Sequence, residues 1–134
     1  MSSIKVEMQG LLDFQKQIQK LSGRSKERLC KNIATETAKV LFDKVKQKTP
    51  VKTGRLKRNW KIKGERTSNG YMSVVYNQTY YAPFVEYGHI VHTKKGDKWV
   101  EGRYMLTKAQ KETLDLYTKI ATKRVISYFN ATRP

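Results

Sequence analysis

Glu86, His89 and His92 recur three residues apart, and a carboxylate with two imidazoles is a set that could ligate a divalent metal. Their surroundings do not suit that task. Pro83 and Gly88 bracket the segment, so one helix face cannot carry all three, and on a strand residues three apart point to opposite sides. Glu86 is instead expected to pair with a nearby Lys or Arg, and no metal or cofactor is expected. Nucleophilic chemistry is no better provided for. Cys30 is the single cysteine, falls at the spacing of a helix core and has no obvious histidine partner. Neither a G-x-S-x-G turn, a P-loop nor a pair of carboxylates occurs, so no catalytic residue is assigned. Arg, Lys and Tyr remain, the set that some ribonuclease toxins use, and a small toxin of that kind stands as an alternative.

Charge is the next signal. Twenty-eight Lys and Arg against 11 Asp and Glu give +17 over 134 residues, which calls for a polyanionic neighbour, nucleic acid or an acidic protein surface. The excess is concentrated. Lys44–Arg66 holds ten basic residues and one acid, Glu65, whereas Thr67–Thr93 contains no Lys or Arg. Within the basic stretch Lys52, Lys57, Arg58, Lys61 and Lys63 are the candidates for phosphate contact, in a non-specific, salt-sensitive association with DNA. A solvated helix face followed by basic strand ends explains the same stretch without a ligand. No helix-turn-helix or zinc module is recognisable. The lone cysteine excludes a disulfide framework, and no apolar run approaches a membrane span. A soluble chain with no membrane partner is expected.

The length suits one domain, 1–134. Ile4, Val6 and Met8 alternate with charge as a short strand over 3–9, and apolar spacing predicts helices over about 11–21, 25–48 and 106–129. Ser25 and the run Thr107–Gln110 are the expected N-terminal caps of the last two. In the closing helix the apolar stripe is expected to be Leu114, Tyr117, Ala121, Val125 and Tyr128. Asn69-Gly70 between two β-rich runs predicts a hairpin over about 59–80, and polar 89–101 reads as an exposed loop or a loose ribbon. The resulting class is α+β: a small, mostly antiparallel sheet with a central hairpin, packed against a long helix and a C-terminal helix.

Three stretches punctuate these elements: Thr49-Pro-Val-Lys-Thr-Gly-Arg-Leu56 with Trp60, Tyr80-Tyr-Ala-Pro-Phe-Val-Glu-Tyr-Gly88, and Gly102-Arg-Tyr-Met-Leu106. Pro50, Gly54, Leu56, Trp60, Asn69, Gly70, Gly88 and Gly102 are read as structural joints. Arg55, Tyr80, Tyr81, Phe84, Glu86, Tyr87, His89, Arg103 and Tyr104 are candidate interface residues, since aromatics beside Pro and Gly serve subunit contacts as readily as cores.

The block Thr49-Pro50-Val51-x-Thr53-Gly54-x-Leu56 with Trp60, followed by Tyr81-Ala82-x-x-Val85-Glu86-Tyr87-Gly88, resembles the gene-ten-product-like (HK97-type) neck proteins of tailed bacteriophages and prophages. These are the tail-completion or head–tail joining proteins. Gly102-Arg103-Tyr104-Met105-Leu106 is similar to the segment that opens the last helix in a prophage branch of that family. The resemblance spans about Ala34 to Lys123; Tyr87-Gly88-His89 departs from the family's Tyr-Gly-Thr, and Glu101 stands where a proline is expected. It implies a non-enzymatic virion subunit made in the bacterial host cytoplasm, a neck, tail-completion or minor tail component. Its implied partners are copies of itself in a ring, hexameric by expectation, the connector or adaptor, and the tail-tube or tail-terminator proteins.

Overall fold

A computed structural model describes residues 23–68 and 70–131. The strand expected over 3–9, the helix over 11–21 and the joint residue Asn69 lie outside the described residues. The elements are α1 (Gly23–Lys48), α2 (Arg55–Arg58), β1 (Trp60–Thr67), β2 (Gly70–Asn77), α3 (Ala82–Tyr87), β3 (Gly88–Thr93), β4 (Gly96–Glu101) and α4 (Met105–Ala131). The chain is α+β, and the strands among the described residues form two two-stranded antiparallel sheets, β1–β2 and β3–β4.

Several local expectations need correction. Of the two forms expected for 89–101, the exposed ribbon is found and the loop is not: β3 and β4 pair from Gly88↔Glu101 to Thr93↔Gly96. The turn at Thr93-Lys94-Lys95-Gly96 is closed by Thr93, whose hydroxyl donates to the Gly96 carbonyl at 2.5 Å, with Gly96 at φ +116°. Both faces of this ribbon are wet, so no alternation of apolar and polar residues betrayed it. Ser25 lies inside α1, and α4 starts two residues ahead of Thr107. The buried stripe of α4 runs through Met105, Ala109, Thr113, Ala121 and Val125, while Leu114 is 72% exposed.

The chain divides into two compact units. One contains the described chain up to Thr37, Gly64–Ser73 and the part from Leu116 onward. Leu29, Ala121 and Val125 are its buried apolar side chains, with ion pairs Arg66–Glu27 and Arg124–Glu36 on its surface. The other unit comprises Ala38–Lys63 and Val74–Asp115. Its core joins Val45 of α1, Leu56 of α2, Trp60 of β1, Ala82 of α3, and Met105 and Ala109 of α4. Leu41, Phe42, Val75, Tyr81, Val85 and Leu106 pack around them.

Thr49 ends α1 and ties it to β1. Its hydroxyl donates to the Val45 carbonyl at 2.5 Å and accepts the Trp60 indole N–H at 2.8 Å. Pro50 then stops the helix, since the residue before a proline is disfavoured in helical geometry. A buried indole must find an acceptor, and here a helix-terminal threonine supplies it. On the solvent side, Lys48 and Lys44 meet Glu112 at 2.8 and 3.4 Å. The Lys48 hydrogen bond, helped by the charges of both lysines, holds the Glu112 carboxyl below its ordinary 4.5.

Replacing Leu56 or Trp60 by Ala is expected to cost about 3 kcal/mol in urea unfolding. Thr49→Val, which strands the indole N–H, should cost about 1–2 kcal/mol by the same measurement. A lowered carboxyl contributes stability above its unfolded value and loses it as pH falls through the folded one. Glu112→Gln should therefore flatten the acid limb of the stability–pH curve between about 4.5 and the lowered value, with little change below it.

Candidate functional site

The three punctuating stretches come together in the second unit. In the first, Gly54 takes the left-handed conformation (φ 80°, ψ −6°), and its carbonyl accepts the Arg58 N–H at 3.0 Å to start α2. A side chain there would be strained, which is the reason for glycine. Asn59 closes the turn with its amide on the Arg55 carbonyl at 2.7 Å, and Asn77 reaches the Leu56 carbonyl at 2.8 Å. Leu56 is thereby held into the core while exposed Arg55 faces solvent.

The second stretch forms α3, with Pro83 in its first turn where no N–H is needed. Tyr80, Phe84 and Tyr87 are 79%, 51% and 62% exposed, whereas Ala82 and Glu86 turn inward. Tyr80 and Tyr81 meet edge to face at 5.3 Å, and Phe84 lies edge-on to His89 at 6.4 Å.

Glu86 corrects the expectation of a Lys or Arg partner. Only 5% exposed, it sends its carboxylate to the start of α4. The Leu106 and Thr107 N–H groups donate to it at 2.9 and 3.0 Å, and the Thr107 hydroxyl donates at 2.9 Å. Tyr104 opens this helix at φ +50° and has no capping side chain, so a residue eighteen positions upstream supplies the acceptor. A carboxylate at a helix N-terminus is also favoured by the helix dipole. The clue in the sequence was negative: none of the residues just before α4 is a capping type, and Glu86 is the only acid between Arg66 and Asp97.

Gly88 and Gly102 permit this arrangement. The backbone after Gly102 runs against α3, with Arg103 N–H donating to the Val85 carbonyl at 2.8 Å and Tyr104 N–H to that of Glu86 at 3.1 Å. A Cβ on Gly102 would lie 2.4 Å from the Glu86 carbonyl oxygen, and one on Gly88 2.5 Å from the Trp99 ring, at a φ of +97°. Only hydrogen fits at either site.

The three stretches surround an open cleft of about 500 Å³. Leu56, Tyr81, Val85 and Val100 give it an apolar floor, exposed Val51 and Phe84 rim it, and Lys52, Arg103 and Glu101 bring charge to its edge beside His89. Of the candidate interface residues, Tyr81, Phe84, His89 and Arg103 line it, while Glu86 and Tyr104 do not and instead join α3 to the start of α4. Arg55, Tyr80 and Tyr87 are exposed and do not line it.

The metal-spaced trio is dispersed. Glu86 faces α4, His89 Nδ1 lies 3.4 Å from the Phe84 carbonyl oxygen, and His92 pairs with Asp97 at 2.6 Å. The five candidate phosphate contacts differ in their surroundings. Lys57 is half-buried, Arg58 bonds back to the Thr53 carbonyl, Lys63 lies over the Tyr76 ring, and Lys52 and Lys61 are exposed.

Such a unit presents an apolar cleft bordered by charge and built from backbone joints. The family is shown independently: a family model described as "Bacteriophage HK97-gp10, putative tail-component" matches residues 13–88, more than half of the chain, and the chain belongs to that family. It is thus a bacteriophage tail component, associated with the virion. The match takes in the first two stretches and stops at Gly88, before the third. No curated protein and no solved structure matched the chain. Among the described residues no helix is long and apolar enough to cross a membrane.

Glu86→Ala removes the acceptor from two amides and a hydroxyl and is expected to cost about 2–3 kcal/mol in urea unfolding, with Glu86→Gln costing less because one oxygen remains. Gly102→Ala should lose about 1–3 kcal/mol through overpacking.

Proposed function

We propose that the chain is a structural, non-enzymatic subunit of the phage head–tail interface. Copies assemble into a ring, six being the expected number, which joins the head connector or adaptor to the tail-tube or tail-terminator protein. Membership of a tail-component family supports the structural role. The observation that carries the reading further is the exposure of Val51, Tyr80, Phe84 and Tyr87 in and around a cleft whose floor is fixed by core contacts. Apolar and aromatic side chains held outward by a rigid frame are what protein partners use as anchors. In a closed ring each contact is repeated, so an individual contact can be weak and the free subunit monomeric.

Phage particles assembled without this protein should give filled heads and separate tails by electron microscopy; normal infectious particles from the deletion would refute the joining role. Tyr80→Ser combined with Phe84→Ser should leave monomer stability within about 1 kcal/mol, because both side chains are largely exposed, yet fail to restore joining. Full complementation by that double variant would remove this face from the interface.

A further inference from the structure

The first unit carries a basic recess that the tail-component role does not explain. On α1, Arg24, Arg28 and Lys31 stand four and three residues apart, on one side of the helix, and all three are exposed. They line a recess of about 490 Å³ together with Asn32 and, from β1 and β2, Arg66 and Tyr71. Glu27 is its one acid among the described residues and is engaged by Arg66 at 2.5 Å. Three positive charges are left without an opposite charge among the described residues. Arg24 and Arg28 form no ion pair there, and Lys31 lies 5.8 Å over the Tyr71 ring.

Tyr71 is held in place. A Cβ on Gly64, in the facing strand, would come within 2.2 Å of the Tyr71 hydroxyl oxygen, so the phenol occupies the space that glycine leaves. Glycine within a strand weakens it and marks a close approach of this kind. The aromatic lines the recess with the cations, with Lys31 over its ring.

We infer that this recess binds the phosphodiester backbone of duplex DNA, without reading sequence. Arg24, Arg28 and Lys31 contact phosphates, and the Tyr71 hydroxyl donates to a phosphate or sugar oxygen. Charge density favours DNA over an acidic protein. The seven-residue step from Arg24 to Lys31 covers about 10 Å of helix. A duplex sets roughly six phosphate charges against that length, one per ~1.7 Å of its axis. Two of the three cations are guanidinium groups, whose fork matches phosphate oxygens.

The test is fluorescence anisotropy of a labelled mixed-sequence 30-base-pair duplex titrated with the full-length protein at several NaCl concentrations. Neutralising the three cations together (R24Q/R28Q/K31Q), with the fold checked by circular dichroism, should reduce the slope of log K against log salt by about 2–3. A control with three exposed cations of the other unit changed (K52Q/K61Q/K63Q) should keep the slope within about 0.5 of the unaltered protein. Gly64→Ala, which displaces the phenol and leaves the charge unchanged, should weaken binding at constant slope. Four results would each overturn the inference: no binding of the duplex at 50 mM NaCl, an unchanged slope in the first triple variant, an equal fall in the control, or displacement of the duplex by poly-glutamate as effective per charge as by unlabelled duplex.

Discussion

A single buried carboxylate holds the second unit in register. Glu86 lies out of water, where an ionised group survives only if its oxygens are occupied. Two backbone N–H groups and one hydroxyl from the first turn of α4 occupy them. Bonds to a charged acceptor are the stronger kind, and the same amides would otherwise be orphans at the end of a long helix. α3 and α4 thus complete each other: one has a charge to satisfy, the other has donors to spare.

The two glycines matter because of that bond. For Glu86 to reach α4, the chain returning from β4 must pass against the backbone of Glu86, Tyr87 and Gly88, and it does so at Gly102. The β3–β4 hairpin between them is a closed excursion, paired over its whole length from Gly88 to Glu101. With its ends fixed and its own ladder complete, it can stand in solvent without a buried face. The cleft follows from the same geometry, since its walls are the first stretch, the outer side of α3 and the base of that hairpin.

Charge is organised differently in the two units. In the second, several basic side chains have local contacts: Arg58 on Thr53, Lys63 over Tyr76, Lys44 and Lys48 on Glu112. In the first, Arg24, Arg28 and Lys31 share one recess around a positioned tyrosine, with a single acid already engaged. Sequence density of basic residues points to Lys44–Arg66, whereas this recess joins a helix to a hairpin distant in sequence. Net charge is a sum over residues. A binding site is a property of distances.

Much of the framework is determined by the chain alone. Apolar spacing, Pro50 and the β-rich runs around Gly70 are local signals acting within a few residues, and they suffice for the α+β class, the long helix, the hairpin and the role of Gly54 as a bend. The motif pattern also sufficed for the family. Only the tertiary structure decided the partner of Glu86, the crossing at Gly102, the pairing of the wet β3–β4 ribbon and the exposure of Leu114. Each of these depends on groups far apart in sequence: a helix lacking a local cap leaves its donors open, and the fold alone settles which distant acid reaches them.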